Sequence, residues 1–185
     1  MNTPPAKVTV DLHTHCRQMT GASVPDSVGI SRILAQAARR GLDGIAVTEH
    51  HDPEYGIRFQ QIAQSISGDK LMVIPGQEVR MGPQHIVELY LPDQATFRFW
   101  AHPKFHSPGV DEFIRENLGR LQGIEVRNSC HVLDTERIAG LAEVYDLVLL
   151  SNSDAHTIDT IGYFHSEIDM TELRRRAGRR LNRVC

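Results

Sequence analysis

Histidines and carboxylates recur in this sequence in short motifs, and these residue types are the ones that bind transition metals. The first motif, Asp-Leu-His-Thr-His, places His13 and His15 two residues apart at the end of an apolar, β-branched run. Because side chains along a strand alternate between its faces, both imidazoles would project the same way. That arrangement suits two ligands of one cation at a strand end, although two polar residues also commonly terminate a strand.

Residues of the same kinds occur in or after several other apolar runs, and together they form one candidate ligand set. The candidate metal ligands are His13, His15, His50, Glu78, His85, His102, Asp154 and His156. Imidazole mixed with carboxylate favours zinc, manganese or iron, whereas calcium and magnesium prefer oxygen ligands alone. The set is too large for one four-coordinate zinc, so we expect two or three divalent metal ions that share carboxylates. Two metals roughly 3.5–4 Å apart stabilise both the attacking and the leaving oxygen of a phosphoryl displacement.

The elements that must position these ligands alternate between short β-rich runs and helical stretches. Strands are predicted over 7–15, 42–52, 71–79, 84–91, 96–103, 123–128, 146–156 and 162–169. Helices are predicted over 28–41, 55–68, 109–121, 134–145 and 171–183. Gly41 suits a helix C-cap and Asp134 an N-cap. Such alternation is typical of α/β folds with a largely parallel sheet.

Most of the candidate ligands come just after the apolar part of a strand, and at least five strands contribute. In a parallel sheet these strand ends meet on one face, where barrel enzymes build their sites from several strands. An open doubly wound sheet uses fewer strands, at its switch point. The sequence therefore predicts a small TIM-like barrel. No linker, low-complexity segment or change of composition divides the chain, so we expect a single domain over residues 1–185.

The amino-acid composition limits the kinds of function that this chain can have. The chain is 41% hydrophobic and 23% charged with a formal net charge of −3, which is no nucleic-acid-binding signature. No apolar stretch approaches the roughly 20 residues that span a bilayer, and the first residues lack the apolar core of a signal peptide. Cys16, Cys130 and Cys185 indicate neither a disulfide framework nor a zinc ribbon. A cytoplasmic protein without a membrane partner is therefore expected.

Five motifs occur in a fixed order along the chain: Asp-Leu-His-Thr-His, Thr-Glu-His, Gly-Gln-Glu, Ala-His-Pro and Ser-Asp-Ala-His. In this order they resemble the motifs of the polymerase-and-histidinol-phosphatase (PHP) superfamily of metal-dependent phosphoesterases. The resemblance extends from Val10 to about Leu173. It implies a distorted seven-stranded β/α barrel of the PHP type, with two or three metals at its C-terminal face.

The same resemblance implies how the ligands divide among the metals. The ligands of the first metal would be His13, His15, Glu78 and Asp154. Glu78 would bridge to a second metal, whose other ligands would be His85 and His102. His50 and His156 would bind a third metal or orient the substrate. The 16–26 segment lacks a histidine that related proteins often carry there, which argues against a complete third site.

These features predict hydrolysis of a phosphate ester, either a phosphomonoester or a nucleotide or oligonucleotide phosphate. Glu78 and Asp154 would hold the attacking hydroxide between the metals, and His50 or His131 would protonate the leaving alkoxide. The candidate substrate-binding residues follow the strand ends and are Arg17, Arg80, Lys104, Arg127, Asn128 and His131. Guanidinium groups bind phosphate in a bidentate manner. The expected partner is a small phosphorylated compound.

Two other functions fit the same motifs. One is a metal-binding module without catalytic activity, and the other is an amidohydrolase-like enzyme that cleaves C–N bonds. The arginines between 174 and 183 leave nucleic-acid binding open, but a solvated helix face is favoured. Glu49 is expected to face away from the site, and His51, His106 and His165 to lie outside the ligand set. Substrate, metal identity and oligomeric state stay open.

Overall fold

The computed structural model describes residues 7–179, which form a nearly closed, barrel-shaped sheet of eight strands with helices packed around it. The strands are β1 (Val8–Asp11), β2 (Gly44–Val47), β3 (Met72–Met81), β4 (Gln84–Tyr90), β5 (Ala95–Ala101), β6 (Gly123–Asn128), β7 (Val148–Asn152) and β8 (Ser166–Ile168). Their order in the sheet is β7-β6-β5-β4-β3-β2-β1-β8, and a short strand β9 (Gly178–Arg179) pairs with β5. The predicted α/β, TIM-like barrel class is confirmed.

The described helices are α1 (Cys16–Thr20), α2 (Ser27–Arg39), α3 (Pro53–Ser67), α4 (Val110–Asn117), α5 (Thr135–Tyr145) and α6 (Met170–Arg176). α2 begins after Asp26, whose carboxylate accepts hydrogen bonds from the N–H groups of Val28 and Gly29. Asp134 caps α5 as predicted, through the Arg137 N–H. The one-turn helix α1 is absent from the sequence prediction because it is too short to show a helical period.

The middle of the sheet departs from the expected parallel arrangement. β1, β2 and β3 are parallel, as are β5, β6 and β7, but β4 runs antiparallel to both β3 and β5. The chain turns back directly between β3 and β4 because no helix lies between them. The start of β4 therefore lies at the same edge as the end of β3, with His85 opposite Arg80. This reversal brings His85 to the edge where the other ligand motifs end.

Side chains close the seam between β7 and the β1–β8 pair. On β8, which is antiparallel to β1, the Ser166 hydroxyl accepts a hydrogen bond from the Ser151 N–H at 2.9 Å and donates one to the Ser151 carbonyl at 3.0 Å. Nearer the carboxyl ends of the strands, Asn152 Oδ1 accepts from the Leu12 N–H at 3.1 Å. The described strands thus close through side chains rather than through a continuous backbone ladder.

Asp11 is a buried acid at this seam. Its carboxylate accepts hydrogen bonds from the Ser153 N–H at 3.0 Å, from the Ser153 hydroxyl, and from the Gly162 N–H at 2.9 Å. Burial raises the pKa of this carboxyl to about 6, and the hydrogen bonds only partly oppose that rise. Asp11 therefore ties β1 to the segment after β7, which carries Asp154 and His156.

The apolar core forms three layers. Alternate strand residues fill the inside of the barrel, among them Val10, Leu12, Ala46, Ile74, Val87, Leu89, Phe97, Phe99 and Leu150. The other faces of the strands pack under α2 and α3 in one cluster, and under α4 and α5, around Trp100, in the other. Close packing on both faces restrains the strands and so fixes the ligands that they carry.

The last helix is shorter than the one predicted over 171–183. α6 ends at Arg176 because Ala177 adopts an extended backbone and the next two residues form β9 against Ala95 and Thr96. The part of the predicted arginine-rich helix beyond 179 lies outside the described residues. Of the helices in 7–179, none combines the length and the apolar composition that crossing a membrane requires.

Candidate metal centre

Two short backbone pairings extend beyond the strands and set the ligand motifs side by side. Thr14 pairs in parallel with Ala155, which places the Asp-Leu-His-Thr-His motif beside the Ser-Asp-Ala-His motif. His50 pairs in the same way with Glu78. Motifs that are far apart in the sequence thus meet at one edge of the barrel.

Glu78 lies at the middle of this edge, with imidazoles around both of its carboxylate oxygens. Oε1 lies 2.7 Å from His85 Nδ1 and 2.9 Å from His102 Nε2. Oε2 lies 2.9 Å from His50 Nδ1 and 3.4 Å from His15 Nε2. The side chain is 1% exposed, although it belongs to a charged residue. One carboxylate therefore faces two separate groups of ring nitrogens, as a ligand shared by two cations would.

Asp154 faces the same space from the other side. Its Oδ1 lies 3.1 Å from His15 Nε2 and 3.4 Å from His13 Nε2, and its Oδ2 lies 3.9 Å from His102 Nε2. His13 Nε2 also lies 3.6 Å from Glu78 Oε2. His13 and His15 therefore stand between two carboxylates.

The structure brings all eight candidate ligands together in overlapping groups. Within each group the potential ligand atoms lie within 4.8 Å of one another. Within the described residues, four groups consist of the candidate ligands alone, and a fifth combines Asp154 and His156 with the exposed Cys130. The four are His13, His15 and Glu78; His13, His102 and Asp154; Glu78, His85 and His102; and His15, His50 and His156. Because Glu78 and three of the histidines each belong to two groups, the arrangement suits more than one metal ion.

Several buried polar atoms at the centre lack a hydrogen bond. Glu78 Oε2, Asp154 Oδ1, His15 Nδ1 and His102 Nδ1 are all in this state. The ring nitrogens near the two carboxylate oxygens approach at about the right distance but without hydrogen-bond geometry. An unpaired buried carboxylate oxygen costs free energy, so such a cluster calls for a further positive group. The residues present fit a divalent metal by this criterion and by the chemistry of the donor set.

Hydrogen bonds fix which nitrogen of two histidines faces the centre. His13 Nδ1 lies 3.0 Å from Glu125 Oε1, and His156 Nδ1 lies 2.7 Å from the Asp154 backbone carbonyl. A carbonyl oxygen can only accept, so His156 Nδ1 carries the proton and Nε2 keeps its lone pair. The carboxylate of Glu125 favours the same tautomer of His13. Metal-binding histidines are typically held in this way.

Glu125 on β6 is a functional residue that the sequence analysis missed. It is fully buried, and it accepts hydrogen bonds from four groups. Besides His13, the donors are the His102 N–H at 2.7 Å, Asn152 Nδ2 at 2.8 Å and Asn128 Nδ2 at 3.0 Å. The signal in the sequence is an acid inside an otherwise apolar strand segment, Gly-Ile-Glu-Val.

Both central carboxylates are held in the ionised form. Burial acts to raise the pKa of Glu78, but the charge of His13, the hydrogen bond from His102 and the nearby imidazole of His15 hold it far below its usual range. Burial likewise acts to raise the pKa of Asp154, and the charge of His13 together with the close imidazole of His15 lowers it. In the same way, burial acts to lower the pKa of His13, whereas the charges of Asp154, Glu125 and Glu78 raise it well above its usual value. The cluster therefore stabilises positive charge at its middle.

Left-handed backbone occurs at two of the ligands. His102 has φ of 29° and Asp154 has φ of 53°, values that residues other than glycine rarely adopt. Strained backbone of this kind concentrates at functional sites. His51 also has a positive φ, 52°, so the chain turns sharply after His50. The two adjacent imidazoles therefore point in different directions, and that of His51 is exposed.

Glu49, which we expect to face away from the site, belongs to none of the ligand groups in residues 7–179 but is buried rather than solvated. It is 3% exposed, and its Oε1 accepts a hydrogen bond from the Arg17 N–H at 2.8 Å. The expectation rested on strand alternation continuing to His50, whereas β2 ends at Val47. Burial raises the pKa of Glu49, and the nearby His15 and the Arg17 N–H only partly oppose that rise.

Two of the candidate substrate-binding residues lie near Glu78 and the end of β2. Arg17 forms an ion pair with Asp52, and its guanidinium lies 4.8 Å from the centre of the Tyr55 ring. Arg80 is exposed, and it shares its face of β3 with Glu78, two residues away. Arg17 is held in place by the protein, whereas Arg80 extends into solvent.

The other candidates lie on the far side of the centre. Lys104 and His131 line a cavity of about 520 Å³ together with His102. Arg127 and Asn128 line a smaller cavity with His131. Asn128 uses its amide within the protein, because Nδ2 donates to Glu125 and Oδ1 accepts from the Cys130 N–H. The structure therefore groups Lys104 and His131 beside the ligands and gives Asn128 a supporting position.

No protein-family model and no curated protein sequence matches this chain. Solved structures do match it, and PsfC from Pseudomonas syringae is 18% identical, with a TM-score of 0.64 over 89% of this chain and 85% of that chain. A Bifidobacterium adolescentis protein assigned as a metal-dependent phosphoesterase is 13% identical, with a TM-score of 0.68 over 91% of this chain and 96% of its own. An amidohydrolase from Chromobacterium violaceum, with sulfate bound and no metal, is 16% identical, with a TM-score of 0.64 over 94% and 98%. At these identities the likeness is one of fold.

Proposed function

We propose that this chain hydrolyses phosphate esters with two or three divalent metal ions bound at the edge of its barrel. The observation that carries the proposal is the position of Glu78, whose two oxygens each face a different group of imidazoles. A carboxylate in this position offsets the repulsion between two cations and fixes their separation. The order of the sequence motifs, which resembles that of the PHP superfamily, supports the same proposal.

The groups that would hold the metals follow from the contacts. One metal would be bound by His13, His15, Glu78 and Asp154, and a second by Glu78, His85 and His102. His50 and His156, with His15, would bind a third ion or contact the substrate. When bound, such ions supply a strong nucleophile at neutral pH and neutralise charge on the phosphoryl oxygens.

The protein's own side chains orient these ligands and handle protons. Glu125 holds the His13 ring, and the Asp154 carbonyl holds the His156 ring, so that each presents Nε2 to the centre. His50 has a side chain that is 46% exposed, at the mouth of the site. In this proposal His50 donates a proton to the leaving alkoxide, and His131 is the other candidate for this role.

Cationic side chains around the centre favour phosphate as the group that is bound. Arg17, Arg80 and Lys104 come from three different strand ends, and the guanidinium of Arg17 is oriented by Asp52 and Tyr55. Guanidinium groups match the geometry of a phosphoryl oxygen pair. The structural relative from Chromobacterium violaceum holds sulfate, a tetrahedral anion like phosphate. A small phosphorylated compound is therefore the proposed substrate.

Cleavage of C–N bonds is the second candidate, because that same relative is an amidohydrolase. Amidohydrolases often bridge their metals with a carboxylated lysine or a glutamate on a middle strand. This chain has three lysines, Lys7, Lys70 and Lys104, and none belongs to a metal-binding group within the described residues. A module without catalysis is disfavoured by the nearly complete ligand set.

A substrate panel separates these functions. Protein loaded with manganese or zinc is assayed on phosphomonoesters, phosphodiesters, amides and lactones. We expect phosphate-ester turnover that is lost in Asp154→Ala and retained in His165→Ala, a change at an exposed histidine outside the ligand groups. Turnover of amides that depends on Asp154, with no activity on any phosphate ester, would overturn the proposal.

A further inference from the structure

A groove of about 580 Å³ lies beside the metal centre, between α2 and the segment that follows β7. His156 lines one side of it, so the groove opens onto the proposed ligands. Arg32 and Arg39 line it from α2, and we call this feature the α2 groove. Its volume is in the range of small-molecule binding sites.

The α2 groove carries positive charge that the protein leaves unpaired. Arg32 and Arg39 are exposed, and neither forms an ion pair with a residue in 7–179. They lie seven residues apart on α2, which is two helical turns or about 10 Å along the same face. Arg17, by contrast, is held by Asp52. Two free guanidinium groups on one face are therefore available to a ligand.

The acidic groups near the groove do not cancel this charge. Asp159 is the acidic residue in the groove lining. A third guanidinium lies beside it, since Arg40 Nη2 donates a hydrogen bond to the Asp159 backbone carbonyl at 3.0 Å. Asp26, the acid before α2, uses its carboxylate to cap the helix. The described α1 contributes Gln18 and Met19 to the lining and has no acidic residue. The groove is thus basic overall, although the chain has a net charge of −3.

We propose that the α2 groove binds a second phosphate group of the substrate while the first lies at the metal centre. This inference rests on the proposed function and names the class of substrate, a compound with at least two phosphate groups. Guanidinium binds phosphate through two parallel hydrogen bonds, and two such groups about 10 Å apart suit an extended anionic substrate. A nucleoside bisphosphate and a short oligonucleotide share this chemistry.

Kinetics on matched substrates test the proposal. Arg32→Gln/Arg39→Gln removes both charges, and Arg58→Gln/Arg115→Gln is the control, since these exposed helical arginines lie outside the groove lining. The substrates are thymidine 5′-monophosphate, thymidine 3′,5′-bisphosphate and a 5′-phosphorylated dithymidylate. For at least one of the last two, we expect KM to rise about tenfold in the groove variant with kcat unchanged. The KM for the monophosphate should be unchanged in both variants. Comparison of the bisphosphate with the dinucleotide shows which of these compounds supplies the second phosphate.

A binding measurement separates this proposal from the proposed function. Thymidine 3′,5′-bisphosphate is titrated into the chelator-treated full chain by calorimetry, so that turnover is not needed. Weaker binding in the groove variant than in the control supports the groove even if no phosphate ester is hydrolysed. Unchanged KM values for both two-phosphate substrates, or an equal rise for the monophosphate, would overturn the groove proposal and leave the proposed function intact. Arg32→Lys/Arg39→Lys, which keeps the charge, should recover part of the affinity.

Discussion

Glu125 organises the centre without being one of the proposed ligands. It holds the ring of His13 and the backbone of His102, and Asn128 and Asn152 hold it in turn. Each of its oxygens accepts two hydrogen bonds, so the orientation of the carboxylate is fixed from four sides. The geometry of the centre therefore depends on a residue that supports the proposed ligands without being one of them.

Replacing Glu125 with Gln should weaken metal binding while the proposed ligands stay in the chain. The new NH₂ group cannot accept, so the two donors on its side lose their acceptor. These are either His13 and Asn152 or the His102 N–H and Asn128, and in both cases a proposed ligand is held less firmly. We expect metal affinity to fall about 10- to 100-fold, measured by competition with a chromophoric chelator. Glu167→Gln, at an exposed position on β8, is the control and should bind metal normally. Equal affinity in both variants would contradict this role for Glu125.

Residue types at strand ends allowed the candidate ligands to be proposed from the sequence, because imidazole and carboxylate have few other reasons to collect there. The same reasoning could not find Glu125, since a lone acid in a strand sequence is more often solvated. Nor could it predict that Glu49 is buried against the Arg17 N–H, because this contact forms beyond the end of β2 at Val47. Hydrogen bonds from residues distant in the sequence hold both side chains, from His13 and Asn152 to Glu125 and from Arg17 to Glu49.

Asp11 connects the first strand of the barrel to the last part of it. It connects β1 to the segment after β7 through the Ser153 N–H, the Ser153 hydroxyl and the Gly162 N–H. The alternation of strands and helices was predictable from apolar runs and caps. Three features were harder to predict: the antiparallel direction of β4, the one-turn helix α1 and the pairing of β9 with β5. Each depends on a turn or a partner that local periodicity does not specify.

Asp11→Ala should destabilise the fold. Removing the carboxylate leaves the buried N–H groups of Ser153 and Gly162 without an acceptor, which costs about 2–4 kcal/mol in the free energy of unfolding. The measurement is urea unfolding in excess chelator, so that bound metal does not contribute. Asp159→Ala, at an exposed position, should change stability by less than about 0.5 kcal/mol. Similar stability of the two variants would show that Asp11 does not support the seam.

At the scale of the whole molecule, the barrel collects ligands from six strand termini that span the sequence from His13 to His156. A metal ion bound there connects the beginning, middle and end of the described chain. Ions that bind the folded but not the unfolded chain stabilise the fold by mass action. Metal content and global stability should therefore change together.

Chelation should abolish activity and lower the melting temperature. With metal at about 100 times its dissociation constant, the lost stabilisation is about 2.7 kcal/mol, or roughly 5–10 °C for a chain of this size. Manganese or zinc added in excess should restore both properties, as followed by calorimetry and by the phosphatase assay. Full activity and an unchanged melting temperature after confirmed metal loss would contradict the proposed mechanism.

Elemental analysis of the purified Glu78→Gln variant tests whether Glu78 bridges two metal ions. Gln keeps the size and one acceptor oxygen but removes the charge that offsets repulsion between two metals. Glu88→Gln is the matched control, because Glu88 lies on the neighbouring strand and pairs with Arg98, away from the ligands. We predict at least two metal equivalents in the wild-type protein and in Glu88→Gln, with at least one equivalent and most turnover lost in Glu78→Gln. A full metal load with near-normal turnover in Glu78→Gln would show that Glu78 does not bridge two metal ions.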